Sequence, residues 1–189
     1  MAKRPIAGHA KRRLAGDVGV AEAIRVYRTL LHGMCRRLGH DPRWRTVLAV
    51  TPDYAVGDQH WPRGIAREAQ GRGDLGARMG QAIMRQPTGP CVLIGSDVPR
   101  VAPDMIWRAF QALGDHDVVF GPAPDGGYWL VGARRTPRMP PLFSKPVRWS
   151  TEHALADTCA GLPDHRIGLV EERADLDTGA DYLRWRKAA

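Results

Sequence analysis

The stretch LIGSDVPRV, residues 93–101, runs from an apolar segment directly into Ser96, Asp97 and Pro99. Extended back to Cys91, the segment CVLIG (91–95) reads as a strand buried on both faces, and Asp97 stands where that strand stops. An ionised carboxylate has no place in a strand interior. In an open parallel sheet, however, loops and helix N-termini gather at the carboxyl ends of the strands, and ligands bind there. The stretch therefore predicts a sheet of that kind with a ligand site above it. A carboxylate fixed by a strand end is a hard oxygen ligand for Mg²⁺ or Mn²⁺, which takes few protein ligands and completes its shell with water and phosphate. The structural alternative is an aspartate that caps the turn, or the helix beginning near Pro103.

The same pattern recurs outward from this point. Short apolar runs at TVLAV (46–50), DVVFG (117–121), YWLVG (128–132) and RIGLV (166–170) are each bounded by Gly, Pro, Asp or basic residues and read as further strands. Between them lie helical periodicities. Residues 20–38 place Ala21, Ile24, Tyr27, Leu31, Met34 and Leu38 at three- and four-residue steps, and Met105, Ile106, Ala109, Phe110 and Leu113 do so after Pro103. Further helices are expected at about 74–86 and 150–160. A last one is expected in TGADYLRWR, where Thr178 and Asp181 offer a capping arrangement. Alternating strands and helices imply an α/β fold with a mostly parallel central sheet flanked by helices, and PAPDGGYWLVG (122–132) adds a small hairpin.

At 189 residues the chain is expected to form a single domain over 1–189. Three cysteines without C-x-x-C pairing suggest neither a disulfide framework nor a zinc knuckle, and a reducing cytoplasm fits them. No apolar stretch is long enough to span a bilayer, and no signal-peptide core follows the basic N-terminus. The seven histidines show no metal-ligand spacing. A formal net charge of +8 points to an anionic partner: nucleic acid, a membrane surface or a phosphorylated small molecule.

Four further segments carry candidate chemistry. In RADLDTGAD (173–181), Asp175 and Asp177 would point to one side if the chain is extended, and either could join Asp97 at a divalent ion; the alternative is a helix cap. EAQGRGDLGARMGQAI (68–83) is a glycine-rich turn opening into a helix, able to approach a ring or phosphate but lacking the G-K-[ST] ending of a P-loop. AKRPIAGHAKRRL (2–14) brings Lys3, Arg4, Lys11, Arg12 and Arg13 together, suited to charge on a phosphate leaving group, or else a basic surface arm. PAPDGG places Asp125 on a turn that could be a substrate shelf or only a turn. The Pro-rich loop TPRMPPLFSKP (136–146) could cover a pocket.

Taken in order, AKRPIAGHAKRRLA, QGRGDLGARM, LIGSDVP, GPAPDGGYWLVG, LF…RWST and DLDT resemble the bacterial glycosyltransferase-like family called radical-SAM/selenodomain-associated transferase, type one. That family belongs to the nucleotide-diphospho-sugar transferase superfamily, so the resemblance implies the GT-A fold. It implies Asp97 and Asp177 as metal positions for Mg²⁺ or Mn²⁺. Lys11, with Lys3 and Arg13, would contact the donor phosphates. Gln70, Gly76 and Ser96 would lie at the nucleotide, while Asp125, Gly126, Gly127 and Tyr128 would lie at the acceptor or sugar, with Asp125 the candidate base. Two departures stand out. Relatives carry an apolar first strand ahead of the basic loop, whereas here Met1 stands near its end, which would leave a gap in the sheet. The usual KTRL reads KRRL, with Arg12 in place of a small hydroxyl residue.

The expected activity is metal-dependent transfer of a sugar from a nucleotide-sugar to a small-molecule acceptor. The same site could instead serve a nucleotidylyltransferase of guanylyltransferase type, joining an NTP donor to a phosphorylated acceptor. A basic nucleic-acid-binding module and an inactive, degenerate transferase are the remaining readings; neither nucleic acid nor a membrane span is expected.

Overall fold

The computed structural model describes residues 1–8 and 10–187. In chain order the elements are β1 (Ala2–Lys3), α1 (Arg12–Val18), α2 (Val20–Leu38), β2 (Val47–Thr51), a 3-10 turn (Asp53–Gly57), β3 (Ala66–Ala69), α3 (Leu75–Met84), β4 (Pro90–Ile94), α4 (Pro103–Ala112), β5 (Val118–Pro122), β6 (Tyr128–Arg134), α5 (Ala154–Ala160), β7 (Ile167–Leu169) and α6 (Gly179–Lys187). They group into two compact units. The first comprises Met1–Ala69, Ser96–Ala102 and Asp175–Ala189; the second comprises Gln70–Gly95 and Pro103–Ala174.

The first unit holds a parallel three-stranded sheet in the order β1-β2-β3. Its pairings are Ala2 opposite Val50 and Lys3 opposite Thr51, then Val47 to Val50 opposite Ala66 to Ala69. β1 is two residues long, Ala2–Lys3. Parallel strands need crossover connections, and α2 supplies the one between β1 and β2. It buries two faces because apolar residues occupy two adjacent stripes. Tyr27, Leu31 and Cys35 pack with Leu48 and Val50 of β2 and with Trp61 and Ile65. Ala23, Val26 and Leu30 pack with Leu14 of α1 and with Leu176 and Tyr182. Fully buried aliphatic side chains of this kind each contribute roughly 1.5–3 kcal/mol of transfer free energy. At α6, the Thr178 hydroxyl accepts from the Asp181 N–H at 3.3 Å, and the Asp181 carboxylate accepts from the Thr178 N–H at 2.7 Å, the reciprocal cap expected from the spacing.

The second unit holds a four-stranded sheet in the order β4-β6-β5-β7. β5 and β6 form the expected antiparallel hairpin, with a register shift at Gly121/Pro122, and β7 returns parallel to β5. Val118, Val119, Phe120, Leu130, Val131 and Ala133 are completely buried, as their continuous apolar runs imply. Cys91 to Ile94 of β4 are only partly buried, unlike the strand covered on both faces that their composition suggests. β4 is an end strand of its sheet and is bonded antiparallel to β6, so the strand that leads to Asp97 has no parallel neighbour, contrary to the expectation drawn from LIGSDVPRV. Among the described residues, no helix is long and apolar enough to cross a membrane.

Candidate active site

Asp97, Lys11 and Asp177 come together within the first unit although they lie far apart in sequence. The Lys11 ammonium donates to Asp97 Oδ2 at 2.9 Å and lies 3.6 Å from Asp177 Oδ1. Arg13 Nη1 reaches the other Asp177 oxygen at 3.3 Å. The Lys11 side chain is only 3% exposed, whereas the two carboxylates are each about one-third exposed, at 35% and 32%. The ammonium thus forms the floor of the cluster and the carboxylates its open rim.

Backbone geometry explains this convergence. Lys11 is the N-cap of α1 with φ 53° and ψ 46°, the left-handed region. That conformation costs a non-glycine residue on the order of 1–2 kcal/mol, and it turns the chain sharply out of the basic loop into the helix. On the acidic side, the Leu176 N–H donates to the Asp97 carbonyl at 3.1 Å, and the Leu176 side chain is completely buried. Anchoring Leu176 fixes the segment that carries Asp177. Of the two aspartates read from RADLDTGAD, Asp177 is the one that reaches Lys11.

A buried hydroxyl pair holds the other flank. The Tyr27 hydroxyl accepts from the Lys3 N–H at 2.9 Å and donates to the Lys3 carbonyl at 3.1 Å. With its one proton so used, it accepts from the Ser96 hydroxyl, 2.9 Å away. Burial pushes the Tyr27 phenol well above its ordinary range, chiefly by desolvation of the charged form. Ser96 is therefore turned inward beside Asp97, and β1 is latched to the strand-end loop. By sequence Tyr27 belongs only to the core stripe of α2; a lone phenol among aliphatic positions is the one signal of its role.

The remaining candidates lie in the second unit. Gln70 is 3% exposed, and its side-chain oxygen accepts from Arg78 Nη1 at 3.1 Å. Asp74 caps α3 by accepting from the Ala77 N–H at 2.8 Å, and the Trp149 indole donates to its other oxygen at 3.2 Å. These two hydrogen bonds, the backbone one foremost, hold its carboxyl below the usual range. Trp149 and Phe143 meet edge to face at 5.8 Å, and a Cβ at Gly76 would fall 2.6 Å from Trp149 Cζ2. Glycine at 76 therefore admits these two rings. Trp149 lies in the RWST motif, to which the sequence assigned no role. Asp125 is exposed, accepting from the Gly127 N–H at 3.0 Å. Gly126, at φ 80°, presses on the Glu152 backbone, and Tyr128 packs edge-on against Phe120 at 5.1 Å.

The donor chemistry of the first cluster suits a divalent cation. Two carboxylates already converge on one positive charge, with open sides for water and phosphate oxygens. Among the described residues, no group of three or more His, Cys, Asp or Glu side chains could hold a metal by itself.

Over residues 34–151, which include Asp97, the chain matches the family described as "Uncharacterized protein conserved in bacteria (DUF2064)". The chain belongs to the DUF2064 family. No curated protein matches this DUF2064 chain. Among solved structures it is similar to one from Desulfovibrio desulfuricans G20 named a "putative nucleotide-diphospho-sugar transferase", with a TM-score of 0.85 and 27% identity over 98% of this chain and 84% of that one. It is also similar to Rv0371c from Mycobacterium tuberculosis H37Rv, with a TM-score of 0.58 and 18% identity over 97% and 96% of the two chains. The α/β fold of this DUF2064 protein, with its parallel three-stranded sheet flanked by helices, thus matches that of the first neighbour.

Proposed function

We propose that this protein is a divalent-metal-dependent transferase that binds a nucleotide-sugar and moves its sugar to a small acceptor. The observation that carries the reading is the Lys11 ammonium set between Asp97 and Asp177 at the rim of a parallel sheet. The similarity to the Desulfovibrio desulfuricans G20 protein named a nucleotide-diphospho-sugar transferase supports the donor class. In this reading Asp97 and Asp177 hold Mg²⁺ or Mn²⁺. The bound cation would neutralise the diphosphate as it leaves.

Lys11 and Arg13 supply further positive charge to the same phosphates, and Lys3 stands at the end of β1 as their neighbour. Ser96 keeps Asp97 in place through Tyr27. No covalent intermediate is required, because an acceptor hydroxyl can attack directly. The test is incubation with a panel of nucleotide-sugars and NTPs in Mn²⁺. Release of nucleoside diphosphate from a nucleotide-sugar, lost in Asp97→Ala, supports sugar transfer. Release of pyrophosphate from an NTP refutes it in favour of nucleotidyl transfer.

A further inference from the structure

The first unit has a second concentration of positive charge, in the connections that lead into the amino ends of its strands. One face of α2, read at helical spacing through Thr29, His32, Gly33 and Arg36, continues to His40 in the connection leading into β2. Facing it is Arg63, shortly before β3. Both connections enter the amino ends of parallel strands, while Lys11 follows the carboxyl end of β1. Together these residues line a groove of about 490 Å³.

Three features make the groove more than a solvated basic face. No carboxylate lines it, and among the described residues none of His32, Arg36, His40 and Arg63 has an ion-pair partner. By contrast Arg4, Arg25, Arg43, Arg108, Arg134 and Arg148 are all paired with acids. Gly33 sits in the interior of α2, where glycine costs roughly 1 kcal/mol relative to alanine, and its missing side chain leaves the groove open. The floor is apolar and buried, formed by Cys35, Pro62 and Ile65. Burial raises the Cys35 thiol to about 11, so the floor adds no anion of its own at neutral pH.

We propose that this groove binds a small phosphorylated molecule, its phosphate between Arg36 and Arg63 and the body of the molecule against Pro62 and Ile65. Guanidinium forks match phosphate oxygens two at a time, and the imidazoles of His32 and His40 add donors around the same anion. A volume of this size accommodates a ligand of small-metabolite dimensions. The site stands apart from the transferase reading and survives its failure.

The test uses the imidazole NMR resonances of His32 and His40, assigned with His32→Gln and His40→Gln, in a titration with phenyl phosphate at about 0.15 M salt. Saturable shifts of both signals are expected in the native protein, and equally in a Lys11→Met/Arg13→Gln background that disables the other phosphate-contacting residues. Arg36→Gln/Arg63→Gln, both at exposed positions, should keep the native melting temperature and weaken binding by at least about tenfold. Shifts that are absent, non-saturable or unchanged in the arginine variant overturn the proposal. So does a response to single-stranded DNA without one to phenyl phosphate, which would make the groove a nucleic-acid contact.

Discussion

Replacing Asp97 by asparagine keeps the shape of the side chain and removes its charge, so the buried Lys11 ammonium retains only Asp177 at 3.6 Å. At 2.9 Å, two unit charges interact by roughly 6 kcal/mol at an effective dielectric of about 20, and by roughly 1.4 kcal/mol in bulk water. Asp97 is 35% exposed, which moves the value toward the watery limit, and the amide oxygen of the substituted side chain would still accept a hydrogen bond. A loss of about 2 kcal/mol is expected. For a chain of this length that corresponds to a fall in melting temperature of about 4–8 °C. Asp177→Asn should cost less, about 1 kcal/mol, because its oxygen is farther from the ammonium. Adding Lys11→Met to Asp97→Asn should recover part of the loss, since no lone buried charge then remains. Thermal melts in metal-free buffer of the native protein, Asp97→Asn, Asp177→Asn, Lys11→Met and the Lys11→Met/Asp97→Asn double variant provide the assay. If Asp97→Asn melts with the native protein, or if the effects of Lys11→Met and Asp97→Asn simply add, the ammonium is not held as described and the reasoning fails.

Two further outcomes follow from the geometry. Gly76→Ala should destabilise by about 1–3 kcal/mol in urea unfolding, because the new Cβ meets Trp149 Cζ2 at 2.6 Å, and a Trp149→Ala background should largely remove the penalty of Gly76→Ala; equal costs in both backgrounds would refute it. Tyr27 has its pKa raised by burial, so its contribution is fully present below the unfolded phenol's value near 10 and is lost as pH rises toward the folded one. Tyr27→Phe should therefore flatten the fall in stability above about pH 10, and an unchanged alkaline profile would contradict the buried hydroxyl pair.

The apolar runs made five of the strands legible, and the helical spacing made α2 and α4 legible, because burial requires those periodicities. β3 was invisible for the converse reason: Ala66-Arg67-Glu68-Ala69 is an end strand whose first residues are exposed, so nothing selects an apolar pattern there. β1 is too short to carry a pattern at all. α1 is hidden within a basic segment because it buries only Leu14 and breaks from α2 at Gly19, φ 84°. At the site, the strand end at Asp97 and the extended acidic segment could be read directly. The meeting of Asp97 and Asp177 at Lys11 depends on a left-handed backbone at Lys11 and on the burial of Leu176, neither of which composition reveals. The same holds for the enclosure of Gly76, set by Trp149 from a segment more than seventy residues away.

The most direct measurement is equilibrium binding of Mn²⁺ in the presence of a nucleoside diphosphate, read from the electron paramagnetic resonance of the free ion. Stoichiometric uptake by the native chain is expected, with loss of that uptake in Asp97→Ala and in Asp177→Ala proteins that remain folded. Undiminished Mn²⁺ binding in both variants would contradict it.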